Sequence, residues 1–198
     1  MLIIPHSFYL RDDVVRIAKD LLGKYLVTRI DGDITSGMIT ETEAYAGAVD
    51  KASHAYGNRC TARTEVMFRE GGIAYVYLCY GIHSLFNIVT NLEGIPHAIL
   101  IRGIIPDDGI DIMLKRTKKK AFTRKSGIGP GNVGRLLGIH YSMSGIKLIS
   151  NPEDSSPAIW VEDRGVRIPS SKIQTTTRIG VGYAEEDALL PYRFILTE

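Results

Sequence analysis

The chain has 198 residues, 44% of them hydrophobic and 23% charged, with a formal net charge of +2; that is an ordinary globular composition, long enough to bury a core, and it excludes a disordered polyelectrolyte. Two cysteines, Cys60 and Cys79, are too few for a disulfide framework or a cysteine-rich zinc site, and no apolar stretch reaches membrane-spanning length. The opening Met-Leu-Ile-Ile-Pro is too short for a signal-peptide core, so the expectation is a single domain over 1–198, soluble and not secreted, cytoplasmic in a bacterium or nuclear in a eukaryote.

From Asp12 the apolar positions Val14, Ile17, Ala18, Leu21 and Leu22 recur at helical spacing, with Gly23 as terminator. Tyr25 to Ile30 and Thr35 to Tyr45 read as strands joined by Asp31-Gly32-Asp33, a hairpin signal because Asp-Gly supplies positive φ. Residues 46–72 form a long polar connection carrying His54, Arg59, Thr61 and Arg63, and loops of this length are more often functional than idle. Strand patterns resume at Ile73–Tyr80, Leu85–Thr90 and Ala98–Ile105, which makes Tyr80-Gly81 the tip of a second hairpin.

A further helix is expected after Pro106, with Asp107 and Asp108 in its first turn and Ile110, Met113 and Leu114 turned inward. Its end runs into Lys115, Arg116, Lys118, Lys119, Lys120, Arg124 and Lys125, which reads either as a solvated helix end or as a phosphate-facing surface. Gly127 to Asn132 is glycine-rich with Pro130 suited to a first helical turn, but Gly-Lys-Ser/Thr is missing, so it is no P-loop. Lys147–Ile149, Ala158–Val161, Ile179–Tyr183 and Arg193–Leu196 read as short strands and turns. Strands arrive in hairpins rather than alternating with helices, so the expected class is α+β with a mainly antiparallel sheet.

Two stretches carry the chemistry. In Glu-Thr-Glu-Ala-Tyr (41–45), strand alternation puts Glu41, Glu43 and Tyr45 on one face and Thr42 and Ala44 on the other. In Tyr-Val-Tyr-Leu-Cys-Tyr-Gly (75–81), Tyr75 and Tyr77 share a face while Tyr80 falls at the turn. Taken alone, Tyr45 and Tyr77 are core aromatics, Tyr80 packs over Gly81, and Glu43 is a strand-end acid in an ion pair with Arg102.

These two motifs occur in order with Ser-His (53–54), Arg-Cys-Thr-Ala-Arg (59–63), Met-Phe (67–68), Phe-Asn-Ile (86–88), Leu-Ile-Arg (100–102), Gly-Pro (129–130), Arg-Ile-Gly-Val-Gly-Tyr-Ala (178–184) and Pro-Tyr-Arg-Phe (191–194). The series resembles the alkyladenine type of 3-methyladenine DNA glycosylase, a family that removes alkylated and deaminated purines from DNA. The resemblance implies one compact domain with a curved antiparallel sheet, flanking helices and a protruding β-hairpin. It also implies a monomer that acts on damaged double-stranded DNA without cofactor or metal.

By the same resemblance Glu43 activates water, and Arg102 and the backbone carbonyl of Ile179 position it. Tyr45, Ala52, His54, Tyr77 and Asn87 line the base pocket, with Asn87 crowding the exocyclic amine of guanine. Tyr80 and Ile82 enter the vacated stack, and Arg59, Thr61, Arg63, Met67 and His83 touch the DNA, mostly its backbone. Thr64 and His83 depart from the residues common there, an asparagine and an aromatic. Each role has a physical basis. An extruded base needs aromatic faces and a wedge for the gap, and a cleaved glycosidic bond needs a carboxylate near the sugar.

The only lysine between Glu41 and Arg102 is Lys51, outside every motif, so water rather than an amine is the expected nucleophile. The substrate class spans 3-methyladenine, 7-methylguanine, hypoxanthine and ethenoadenine, and no residue stands out as proton donor to the neutral ones. Two rival readings are a metal-dependent hydrolase built on Glu41, Glu43 and His54, and a non-catalytic damaged-DNA or RNA binding module. The scattered histidines disfavour the first.

Overall fold

The computed structural model describes residues 2–123, 125–148 and 157–197. A short β1 (Leu2–Ile3) and helix α1 (Val14–Asp20) lead into two hairpins. In the first, β2 (Tyr25–Ile30) turns through Asp31 and Gly32, at φ 54° and 85°, into the 13-residue β3 (Asp33–Tyr45). In the second, β4 (Ile73–Cys79) turns through Tyr80 and Gly81, at φ 50° and 71°, into β5 (His83–Thr90). Two successive left-handed residues match the right-handed twist of the flanking strands; the first loop has two residues and the second three, since Cys79 pairs His83.

The next elements are β6 (His97–Pro106), α2 (Ile110–Thr117), α3 (Pro130–Leu137), β7 (Ala158–Asp163), β8 (Ile173–Thr176) and β9 (Arg193–Leu196). The strands form a nine-stranded sheet in the order β1-β7-β2-β3-β6-β5-β4, with β9 on β3 and β8 on β9. The paired strands run antiparallel, and the α+β expectation holds. β3 is the spine. Its first half pairs β2, its end pairs β9, and its other edge pairs β6.

A β-bulge interrupts the β3–β6 ladder at Glu41, where Ile39 pairs Ile104, Glu41 pairs Gly103 and Thr42 pairs Ile101. Bulges re-aim side chains, and this one leaves Arg102 out of register beside Glu41 and Glu43. On the opposite face of β3, Thr42 Oγ1 donates to the Ala18 carbonyl of α1 at 2.9 Å. The alternation expected for 41–45 is thus realised, with the acids on one side and the core on the other.

Helix α1 begins where the Asp13 carboxylate accepts the Arg16 N–H at 2.8 Å, and it buries Val14, Ile17 and Ala18. Helix α3 buries Val133, Leu136 and Leu137 against β5 and β6. The loop that feeds it lies directly on β6: a Cβ at Gly127 would fall 1.9 Å from the Ile104 carbonyl oxygen, so glycine is required there.

Several expectations are corrected. Helix α2 starts at Ile110, behind Gly109 at φ 74°, so Asp107 and Asp108 lie outside it and both bind Arg164 instead. Ile110 faces solvent, and Met113 alone in this helix is fully buried. The basic run is partly structural, because Arg116 donates to Thr35 Oγ1 and to the Leu136 carbonyl. Arg124 and Ile149 lie outside the described residues. Residues 179–183 form no strand, and the chain there enters a 3-10 stretch, Gly182–Leu189. Strands β1 and β8 were not foreseen. Among the described residues no helix is long and apolar enough to cross a membrane.

Candidate active site

The end of β3 delivers Glu43 and Tyr45, β4 delivers Tyr75 and Tyr77, β5 delivers Asn87, and β6 delivers Arg102. Apart from Glu43, which lies behind them, these side chains line a cavity of about 440 Å³ together with Ala52, His54, Arg63 and the 179–183 loop, a size that suits a small ring system. Its wall is aromatic on one side. Tyr75 and Tyr77 stand 5.5 Å apart between centroids, and His54 meets Tyr77 edge-on at 4.8 Å.

Glu43 lies behind the floor formed by Tyr45, Arg102 and Ile179, with 0% of its surface exposed. Its Oε2 accepts the Tyr45 hydroxyl at 2.7 Å, and its Oε1 accepts the Ile179 N–H at 2.8 Å. The contact made by Ile179 is therefore its N–H. Burial pushes the Glu43 carboxyl above the usual range, opposed in turn by Arg102, the Ile179 N–H, the Tyr45 hydroxyl and Arg193.

The ion pair expected between Arg102 and Glu43 is secondary. Arg102 Nε donates to Glu41 at 2.9 Å, whereas its approaches to Glu43 are 3.4 and 3.5 Å. Arg193 Nε also binds the same Glu41 oxygen, at 2.7 Å. Two arginines thus hold Glu41 in a structural role, and Glu43 keeps weakly used lone pairs beside Arg102.

Sequence reasoning missed the largest support of this floor. The Arg178–Asp50 pair is buried, with side-chain exposures of 0% and 1%, and its second contact is 2.9 Å. Arg178 also donates to the Ala44 carbonyl and lies 4.8 Å over the Tyr45 ring. Asp50 accepts the N–H groups of Ala46 and Ala52 at 3.0 Å each. The pair therefore ties the end of β3, the 46–52 loop and the segment carrying Ile179 into one unit. Arg178 stood at the head of a matched motif, which was the available signal.

The remaining expected residues divide. Ala52 is buried in the cavity wall, and its carbonyl accepts the Tyr183 hydroxyl at 3.2 Å. Asn87 spends its amide N–H groups on the carbonyls of Tyr75 and Leu85, which fixes its orientation in the wall. His54 Nδ1 lies 2.8 Å from the Tyr75 hydroxyl, and burial with the nearby Arg63 charge lowers its pKa to about 4. It is a neutral ring near pH 7.

Tyr80 is 92% exposed at its hairpin tip with Ile82 exposed beside it, so the packing of Tyr80 over Gly81 is not what the chain adopts. Arg59 and Thr61 are exposed, and Thr61 also bonds Thr64. Met67 is corrected: at 2% exposure it packs with Val66, Tyr75 and Val89 and lines the cavity rather than an outer surface. His83 is half-buried, with a Cβ at Gly131 falling 2.9 Å from its ring. Arg63 turns toward the cavity, with Cζ 4.9 Å over the Tyr77 ring. Among the described residues no group of three His, Cys, Asp or Glu side chains is placed to hold a metal ion.

The family model for methylpurine-DNA glycosylase matches residues 7–198. The chain belongs to the methylpurine-DNA glycosylase family. Relatives named "Putative 3-methyladenine DNA glycosylase" include one from Chlamydia felis, 46% identical over 198 residues and covering 98% of this chain and 95% of its own. One from Bacillus cereus is 44% identical over 195 residues, covering 96% and 93%. One from Clostridium perfringens is 40% identical over 202 residues, covering 98% and 96%. In this methylpurine-DNA glycosylase family member, Glu43 and the aromatic cavity meet through Tyr45, which lines the cavity and donates to the Glu43 carboxylate.

Proposed function

We propose that the protein is a monofunctional glycosylase that extrudes a damaged purine from duplex DNA, seats it between the rings of the cavity and hydrolyses its N-glycosidic bond. The observation that carries this reading is the fully buried Glu43, hydrogen-bonded by Tyr45 and Ile179 directly behind an aromatic cavity of about 440 Å³.

The reacting carbon of a nucleotide is out of reach inside a stacked helix, so the base must leave the stack. Tyr80 and Ile82 supply an apolar wedge for the gap, and an exposed tyrosine at the tip of a tight hairpin loop is a suitable one. The rings of Tyr45, Tyr77 and His54 supply stacking faces, worth roughly 1–3 kcal/mol per base in comparable sites.

A water beside Arg102 takes the weakly used lone pairs of Glu43 and is aimed at C1′ of the sugar. As the C1′–N bond breaks, its electron pair leaves with the purine, the water oxygen bonds C1′, and its proton passes to Glu43. The carboxylate also stabilises positive charge developing on the sugar. Lys51 is a poor candidate for a Schiff base, because Glu185 and Glu186 both bind its ammonium and raise its pKa.

The test is incubation with duplexes that each carry one lesion among 3-methyladenine, 7-methylguanine, hypoxanthine and ethenoadenine. Free base should be released and strand breaks should appear only after alkali. Strand cleavage without alkali would make the enzyme a lyase. Tight lesion binding without base release would make it a binding module.

A further inference from the structure

This inference rests on the glycosylase reading and concerns how the purine leaves. A cationic lesion such as 7-methylguanine departs as a neutral molecule. A neutral lesion such as hypoxanthine departs with the bond's electron pair as an anion, and Glu43 on the sugar side offers it nothing. A positive group on the base side of the cavity is needed.

The basic groups lining the cavity are Arg102, His54 and Arg63. Arg102 is held against Glu41 and Glu43 at the sugar end. His54 is already bonded to Tyr75, and its ring is neutral near pH 7. Arg63 has no carboxylate partner among the described residues; it hydrogen-bonds the Tyr75 hydroxyl, a neutral partner that leaves its charge uncompensated. Its guanidinium lies over Tyr77 with Cζ 4.9 Å from the ring centroid, and its Nη2 is 3.5 Å from His54 Nε2. Arg63 also belongs to the wall shared with a neighbouring groove of about 370 Å³ that contains Lys51 and Arg59.

We infer that Arg63 is a catalytic and specificity residue of the base pocket, whose guanidinium donates to an acceptor on the edge of a neutral purine and stabilises the anion that departs. Deaminated adenine is then the substrate class that this cavity assists, and cationic alkylated bases gain nothing from it. A guanidinium does not give up its proton at ordinary pH, so Arg63 acts by charge and hydrogen bonding. The C1′–N pair moves onto the purine, Arg63 neutralises it in place, and solvent protonates the free base after release. A phosphate contact, the role expected from sequence, has no such preference because phosphates are common to every substrate.

Single-turnover rates at saturating enzyme, on duplexes with hypoxanthine or 7-methylguanine, separate the two roles. Losing one preorganised donor to a developing anion costs about 10²–10³-fold in a sealed site. For a side chain as open as Arg63 the expectation is that Arg63→Gln slows hypoxanthine release about 10–100-fold more than it slows 7-methylguanine release. Arg63→Lys, which restores the charge, should recover part of the hypoxanthine rate. Equal losses on both lesions, or wild-type protein that releases 7-methylguanine and no hypoxanthine, would overturn the inference and leave the glycosylase reading standing. Wild-type protein that releases neither would overturn the glycosylase reading itself.

Discussion

The Tyr45 hydroxyl donates to Oε2 of Glu43 at 2.7 Å, from a residue two places along the same strand face. A side chain expected as a stacking surface thus also holds the carboxylate that sits behind the cavity. Because the bond favours the charged acid, it works against burial, which pushes the Glu43 carboxyl up. Tyr45→Phe keeps the ring and deletes the bond. The acid limb of the pH–rate profile should therefore move to higher pH, with the rate on that limb below wild type and recovery as pH rises. An unmoved acid limb would mean that Glu43 is not the titrating base.

The same burial has a consequence for stability. A carboxyl whose pKa is higher in the folded than in the unfolded chain makes the folded state bind more protons, so its contribution falls as pH rises from the unfolded value through the folded one. Once ionised, Glu43 is a liability to the fold. Glu43→Gln should raise Tm at pH 8 by at least about 2 °C, the shift that roughly 1 kcal/mol gives in a domain of this size, and the gain should shrink toward pH 4. A lower Tm at pH 8 would show that Glu43 contributes more through its partners than it costs by desolvation.

Breaking the Arg178–Asp50 pair leaves a buried charge without compensation. Asp50→Asn should destabilise the protein by about 3–5 kcal/mol, read as a lower urea midpoint. The loss includes the hold on one of the Ala46 and Ala52 N–H groups, because an amide keeps only one of the two acceptor oxygens. A change below about 1 kcal/mol would mean that the loop does not depend on the pair.

Tyr80 is the opposite case. At 92% exposure it packs against little, so Tyr80→Ala should leave Tm within about 1 °C. Losing a stacking contact of roughly 1–3 kcal/mol should raise the Kd for a lesion duplex about 5–100-fold, with little change for free base. Equal loss for duplex and free base would remove Tyr80 from the wedge role.

Much of the site was legible because its signals are local. Alternation placed Glu41, Glu43 and Tyr45 together, and Asp-Gly and Tyr-Gly marked the two hairpin turns. What stayed hidden depends on packing between distant segments. No pattern within 39–43 announces the bulge that brings Arg102 to Glu41. Asp50 and Arg178 lie 128 positions apart in sequence, and their pairing exists only once the C-terminal loop folds onto β3. Met67 failed for a related reason: its motif match fixed its place in the chain but not its depth. Helix α2 was started too early because Asp107 and Asp108 look like first-turn acids until Arg164, just past the end of β7, takes both.

The direct test of the central claim is lesion release by Glu43→Gln under single-turnover conditions, with binding to the same duplex measured in parallel. The account predicts binding within about threefold of wild type and release slower by at least about 10²–10³-fold, the scale of removing a general base that also stabilises charge. A Gln variant that releases base at the wild-type rate would show that Glu43 does not activate the water.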